Sequence, residues 1–128
     1  MIAADTSVLI DYFQGKINQK TKELHELFIH HAVTLPPIVL TEILSDPFLP
    51  KKFIERISEL PILEITEKFW ERAGINRSKL ISKKLKARLA DTFIAQSCID
   101  YQTPLITTDA DFRHFAKHCG LILYSAEI

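Results

Sequence analysis

Apolar residues along the chain fall into short runs separated by longer amphipathic stretches. The runs cover residues 1–4, 32–35, 61–65, 104–107 and 121–124, all rich in Ile, Leu or Val. Short apolar runs bounded by Pro or Asp read as buried strands. The stretches between them have helical spacing. Asp5 suits the cap of a helix starting at Thr6, and Asn18 that of a helix running to about residue 30, with Leu24, Leu27 and Phe28 inward. Pro37 suits the first turn of a helix carrying Val39, Leu40, Ile43 and Leu44. Thr66 is expected to cap a helix with Phe69, Trp70, Ala73 and Ile75. Residues 89–101 place Leu89, Phe93, Ile94, Cys98 and Ile99 on one broad face. Asp109 is expected to cap a last helix with Phe112 and Phe115.

Strands alternating with helices imply parallel βαβ units in an α/β fold. With 128 residues, the chain fits a single domain over 1–128. In open sheets of this kind, sites form at the carboxyl ends of the strands. Asp5 closes the first run and Asp109 follows the fourth, so both are expected at one sheet edge.

Composition narrows the options without choosing among them. The chain is 47% hydrophobic and 25% charged, ordinary for a soluble globular protein. Its net charge is zero, which argues against coating nucleic acid by bulk charge. Cys98 and Cys119 form no zinc motif and read as reduced thiols. No run is long enough to span a bilayer, and the first residues do not resemble a signal peptide. The expected location is the cytoplasm.

The chemistry lies in the acids. Asp5 ends a strand, Glu42 lies in a helix among apolar neighbours, Asp91 opens another helix, and Asp109 and Asp111 follow a strand. Clustered carboxylates repel one another unless a cation neutralises them, and hard oxygen ligands suit Mg²⁺ or Mn²⁺. Taken singly, each acid has a plainer explanation as a cap, a first-turn residue or a solvated side chain. The choice of Asp109 or Asp111 as fourth ligand is open. An aspartyl phosphatase would want Asp two residues after Asp5, where Ser7 stands, and a receiver domain would want a Lys after the last strand.

The run from Ile2 to Asp11, then Thr41-Glu42-Ile43, Ala90-Asp91-Thr92-Phe93-Ile94-Ala95 and Leu105-Ile106-Thr107-Thr108-Asp109-Ala110-Asp111-Phe112 together resemble the motifs of the PIN-domain family. The similarity spans the whole chain, and the compact size resembles the VapC-like toxins. It implies a three-layer α/β/α fold with a five-stranded parallel sheet. It also implies a Mg²⁺- or Mn²⁺-dependent endoribonuclease, an RNA substrate, an inhibitory antitoxin and a homodimer. Asp5, Glu42, Asp91 and Asp109 would be the metal-binding catalytic acids, supported by Thr6, Thr107 and Asp111. The segment before Asp91 often carries a Gly and an Ile-Pro pair in this family; here it reads Lys86-Ala87-Arg88-Leu89-Ala90.

Arg77, Lys79, Lys83, Lys84, Lys86 and Arg88 form a basic stretch leading to Asp91. Lys84, Lys86 and Arg88 are its candidate RNA contacts, while Lys51-Lys52 reads as a solvated face. His114 with His118, and His30 with His31, lack a third ligand for zinc. Tyr12, Phe13, Phe48 and Trp70 are partner contacts or ordinary packing. The alternative function is a non-catalytic PIN-fold interaction or RNA-binding module.

Overall fold

The computed structural model describes residues 1–126. The elements are β1 (Ile2–Ala4), α1 (Thr6–Phe13), α2 (Gln19–Ile29), β2 (Val33–Thr34), α3 (Pro37–Leu44), α4 (Lys51–Ser58), α5 (Phe69–Ser82), α6 (Leu89–Tyr101), β3 (Leu105–Ile106) and α7 (Phe112–Cys119). The three strands form a parallel sheet in the order β2-β1-β3. Neighbouring residues of a strand point to opposite faces. In each strand, neighbours are buried together: Ala3 with Ala4, Val33 with Thr34, Leu105 with Ile106. Both faces of the sheet are therefore covered, as parallel sheets require. On the helical side, α1 packs on α2 and α3, while α5, α6 and α7 pack on one another and α3 also meets α6.

The expected five-stranded sheet is not formed. Among the described residues there are three strands, and the other two apolar runs join by single parallel bridges, Leu35 to Ile62 and Leu105 to Leu123. The order of the five runs across the sheet is intact; what is missing is ladder length. At the first bridge, the Leu35 N–H donates to the Pro61 carbonyl (3.0 Å) and the Leu63 N–H to the Leu35 carbonyl (2.8 Å). The next rungs would need N–H groups from Pro61 and Pro37, and proline has none. At the other edge, the Tyr124 carbonyl accepts from Lys20 Nζ (3.3 Å).

Asn18 caps α2 through a reciprocal box: it accepts from the Thr21 N–H (3.0 Å), and Thr21 Oγ1 accepts from the Asn18 N–H (2.9 Å). Thr66 does not cap α5. That helix starts at Phe69, after Lys68 in the left-handed region (φ 60°). The Thr66 hydroxyl instead donates to Asp100 (3.1 Å) and accepts from Arg72 (2.7 Å). Trp70 and Ile75 lie on the exposed side of α5, and Phe69, Ala73 and Leu80 face the core. Leu89 is likewise exposed, and Ile94 and Cys98 are the buried members of the expected face of α6, with Thr92, Ala95, Gln96 and Ser97 buried beside them. Lys51-Lys52 is solvated as expected, but it opens α4, a helix not foreseen from the pattern. Tyr12 hydrogen-bonds His25 (2.8 Å) and Phe13 stacks on Phe53 (4.5 Å), so both are packing residues, whereas Phe48 and Trp70 are exposed.

Candidate metal centre

The centre is built from the carboxyl end of β1. Asp5 follows it directly, and the Asp5 N–H donates to the Ile106 carbonyl (3.0 Å), which ties Asp5 to the end of β3. Its side chain is only 4% exposed. Although it occupies the N-cap position of α1, its carboxylate makes no capping bond. One oxygen, Oδ2, accepts from the hydroxyls of Ser7 and Thr107, each at 2.7 Å. Burial pushes the Asp5 carboxyl above its usual range, and the two hydroxyls pull the other way.

Three further acids meet across this edge. Asp91, in the first turn of α6, and Asp109 and Asp111, in the β3–α7 loop, each offer an oxygen within 4.8 Å of the other two. Asp109 Oδ1 accepts from the Asp111 N–H (2.9 Å), and the Asp109 N–H donates to Thr107 Oγ1 (3.0 Å). These bonds fold the loop so that both aspartates turn toward α6. Asp109 does not cap the last helix as expected: α7 begins at Phe112 with Asp111 at its N-cap position, two residues beyond Asp109. The Asp91 carboxyl is pushed up to about 6, first by burial and then by the charges of Asp109, Asp5 and Asp111, against the pull of Arg88. Asp5 therefore belongs electrostatically to the same centre.

The donor set tests what the centre can hold. It offers carboxylate oxygens and no thiol or imidazole, and His114 and His118 stand outside it. Hard oxygens with unrelieved mutual repulsion fit Mg²⁺ or Mn²⁺ and do not fit zinc of the structural kind. Asp109 and Asp111 each bring an oxygen to the cluster.

Glu42 does not join the three aspartates. Its side chain is exposed, so the expected apolar burial is absent, and it accepts from the Thr6 hydroxyl (2.7 Å). Thr6 therefore supports Glu42, and Thr107 supports Asp5. Ser7 was not among the expected residues. Its hydroxyl touches Asp5, lies 3.3 Å from Thr107 Oγ1 and accepts from the Thr108 N–H (3.2 Å). The signal was there: a hydroxyl two residues after a strand-end Asp, in the first turn of α1.

The basic stretch divides by role. Arg77 donates to the Ala87 carbonyl (2.8 Å) and fixes the loop from inside. Ala87 is buried, so its neighbours Lys86 and Arg88 are turned outward beside the acids. Lys86 Nζ lies 3.3 Å from Asp111 Oδ2. Lys84 is exposed, in a left-handed turn (φ 60°). An ammonium on Asp111 competes with any bound cation. Lys86→Met is therefore expected to bind Mn²⁺ about two- to five-fold more tightly at low salt, the worth of an exposed pair. Titration calorimetry at low and high salt checks this, and the gain is expected to shrink as salt screens the pair. Equal affinities at low salt would show that the pair does not guard the centre.

Cys98 and Cys119 are both free thiols, and burial pushes Cys98 up to about 12, which leaves it unreactive. No helix among the described residues is long and apolar enough to cross a membrane.

A sequence model of the PIN domain matches residues 2–118. The chain belongs to the PIN-domain family. Among proteins of curated function, no sequence match is found. Solved structures with the same fold include VapBC2 from Rickettsia felis bound to a promoter DNA fragment (TM-score 0.73, 23% identity, 99% of this chain and 100% of that one). FitAcB from Neisseria gonorrhoeae is similar (TM-score 0.73, 18% identity, 98% and 97%). So is a toxin–antitoxin complex from Klebsiella pneumoniae (TM-score 0.69, 20% identity, 95% and 96%). These likenesses extend over whole chains, and the PIN fold of this chain has the acids at the carboxyl edge of its sheet.

Proposed function

We propose that this chain is a divalent-metal-dependent endoribonuclease and the toxin of a toxin–antitoxin pair, acting in the cytoplasm. The observation that carries the reading is the meeting of Asp91, Asp109 and Asp111 within 4.8 Å, beside buried Asp5. Membership of the PIN family supports a nuclease. The similar folds in complexes named as VapBC, FitAcB and toxin–antitoxin support an antitoxin partner. A homodimer is part of the same proposal.

Asp91, Asp109 and Asp111 would hold Mg²⁺ or Mn²⁺, with buried Asp5 beside them and Glu42, held by Thr6, as a further acid of the proposed set. Such a cation supplies charge neutralisation, a more acidic water and stabilisation of the leaving oxygen in phosphodiester hydrolysis. The chain's own part is placement. Ser7 and Thr107 hold one oxygen of Asp5, and the Asp109–Asp111 turn fixes the loop. In the metal-free protein the Asp91 carboxyl is raised to about 6 by burial and by the neighbouring acids, and a bound cation would relieve that repulsion. Lys86 and Arg88 flank the acids and offset phosphate repulsion.

The test is cleavage of a panel of single-stranded and structured RNAs by the purified protein. Cutting is expected in Mn²⁺ or Mg²⁺ and is expected to stop with EDTA. No difference between the two conditions across the panel would remove the proposal.

A further inference from the structure

A second concavity opens beside the acids. A cleft of about 510 Å³ lies between the start of α2 and the β3–α7 loop, and Thr107 and Asp109 line it as well as the metal centre. Its size falls within the range of small-molecule sites. Its lining includes the apolar Leu105, Leu123 and Tyr124 and the cationic Lys20 and Arg113. A ligand lying in it would touch the metal centre at Asp109.

The charges in the cleft are not equivalent. Asp11 is paired with Lys16 (3.2 Å). Lys20 is engaged by the Tyr124 carbonyl (3.3 Å) and Glu23 (3.8 Å). The Arg113 guanidinium is exposed and has no hydrogen bond or ion pair among the described residues. It stands four residues beyond Asp109, about one turn into the loop and helix. An unengaged guanidinium at the edge of an acidic centre suits a phosphate, which it can hold through two parallel bonds. Tyr124 is half-buried, and its backbone is fixed on both sides, by Leu105 (2.8 Å) and by Lys20. An apolar lining with an aromatic residue suits a nucleobase, and only an unpaired base can stack there.

We propose that this cleft is a nucleotide subsite for single-stranded RNA, holding the residue next to the cut phosphate. Tyr124 and the apolar lining receive the base, and Arg113 receives a phosphate. The proposal rests on the ribonuclease reading above.

Binding is measured by fluorescence anisotropy with a short single-stranded RNA and the same RNA as a duplex. All proteins carry Asp91→Asn so that nothing is cut. Arg113→Gln is expected to weaken single-strand binding on the order of ten-fold and to lower the salt slope by about 0.7. Tyr124→Leu is expected to weaken it to a similar degree, from the loss of one stacked base. Tyr124→Phe keeps the ring and is expected to bind like its parent, and duplex binding is expected to be unchanged by either Tyr124 variant. If the parent binds RNA and both Arg113→Gln and Tyr124→Leu bind equally well, the subsite is overturned and the ribonuclease reading stands. If only Arg113→Gln weakens binding, Arg113 is a backbone contact and the base site is overturned. If the parent binds no RNA of either form, the subsite is overturned, and the ribonuclease reading is decided by the cleavage assay above.

Discussion

Asp91→Asn is expected to lower RNA cleavage by about 10²–10³-fold, the scale for removing one group that stabilises developing charge, and at the same time to make the metal-free protein more stable near neutral pH. The two effects have one cause. Asp91 sits half-buried among Asp109, Asp5 and Asp111, and its carboxyl is raised from 3.8 to about 6. A carboxyl raised on folding holds its proton more tightly in the folded state. Its folded state is therefore favoured below pH 3.8, and this advantage is lost as pH rises through about 6. The displacement corresponds to roughly 3 kcal/mol if fully buried. Solvent at this half-exposed group reduces the effect to about 1–2 kcal/mol. Asparagine keeps the shape and removes the charge. In EDTA its melting temperature is expected to match wild type near pH 4 and to exceed it by about 5 °C at pH 7.5. Thermal melts across that range, with cleavage assays beside them, check both halves. A difference in melting temperature that does not grow with pH would mean that Asp91 is not strained by its neighbours.

Much of this centre is legible in the sequence, because strand ends and helix starts are local features. Asp5 follows a run too short to be anything but a strand closed by a charge. Asp91 lies in the first turn of a helix whose bounds follow from its apolar spacing. What the sequence leaves open depends on contacts far apart in the chain. Glu42 looks buried from its neighbours, yet the turn of α3 faces it to solvent, where it meets Thr6. Thr66 has the residue type of a cap, but Asp100 and Arg72 compete for its hydroxyl. Helix α4 is short, with Ile57 buried, Phe53 half-buried against Phe13 and five of its eight residues polar or charged, so its apolar signal is weak. The sheet is narrower than the five runs imply because Pro37 and Pro61 remove the donors that would extend one edge. Asp111 is legible only as a rival to Asp109 until the Asx turn brings the two together.

Metal addition is expected to give the other large effect, and its pH dependence separates a true centre from a loose acidic patch. Mn²⁺ at about one hundred times its dissociation constant would stabilise the folded protein by about 2.7 kcal/mol, on the order of 10 °C in melting temperature for a domain of this size. The carboxylates must lose their protons to bind, so the gain is expected at pH 7.5 and to fade as pH falls through about 6, where Asp91 takes up its proton. This trend runs opposite to that of the metal-free protein, whose stability rises as the same proton is bound. The two curves therefore converge toward low pH and separate above neutrality. Asp111→Asn is expected to lower the gain, since Asp111 supplies one of the three meeting oxygens and also carries Lys86. Calorimetric melts of both proteins with and without Mn²⁺, from pH 5 to pH 8, measure this directly. A stabilisation by Mn²⁺ that is equal at both ends of the range, or unchanged in Asp111→Asn, would show that the bound ion is not held by these acids.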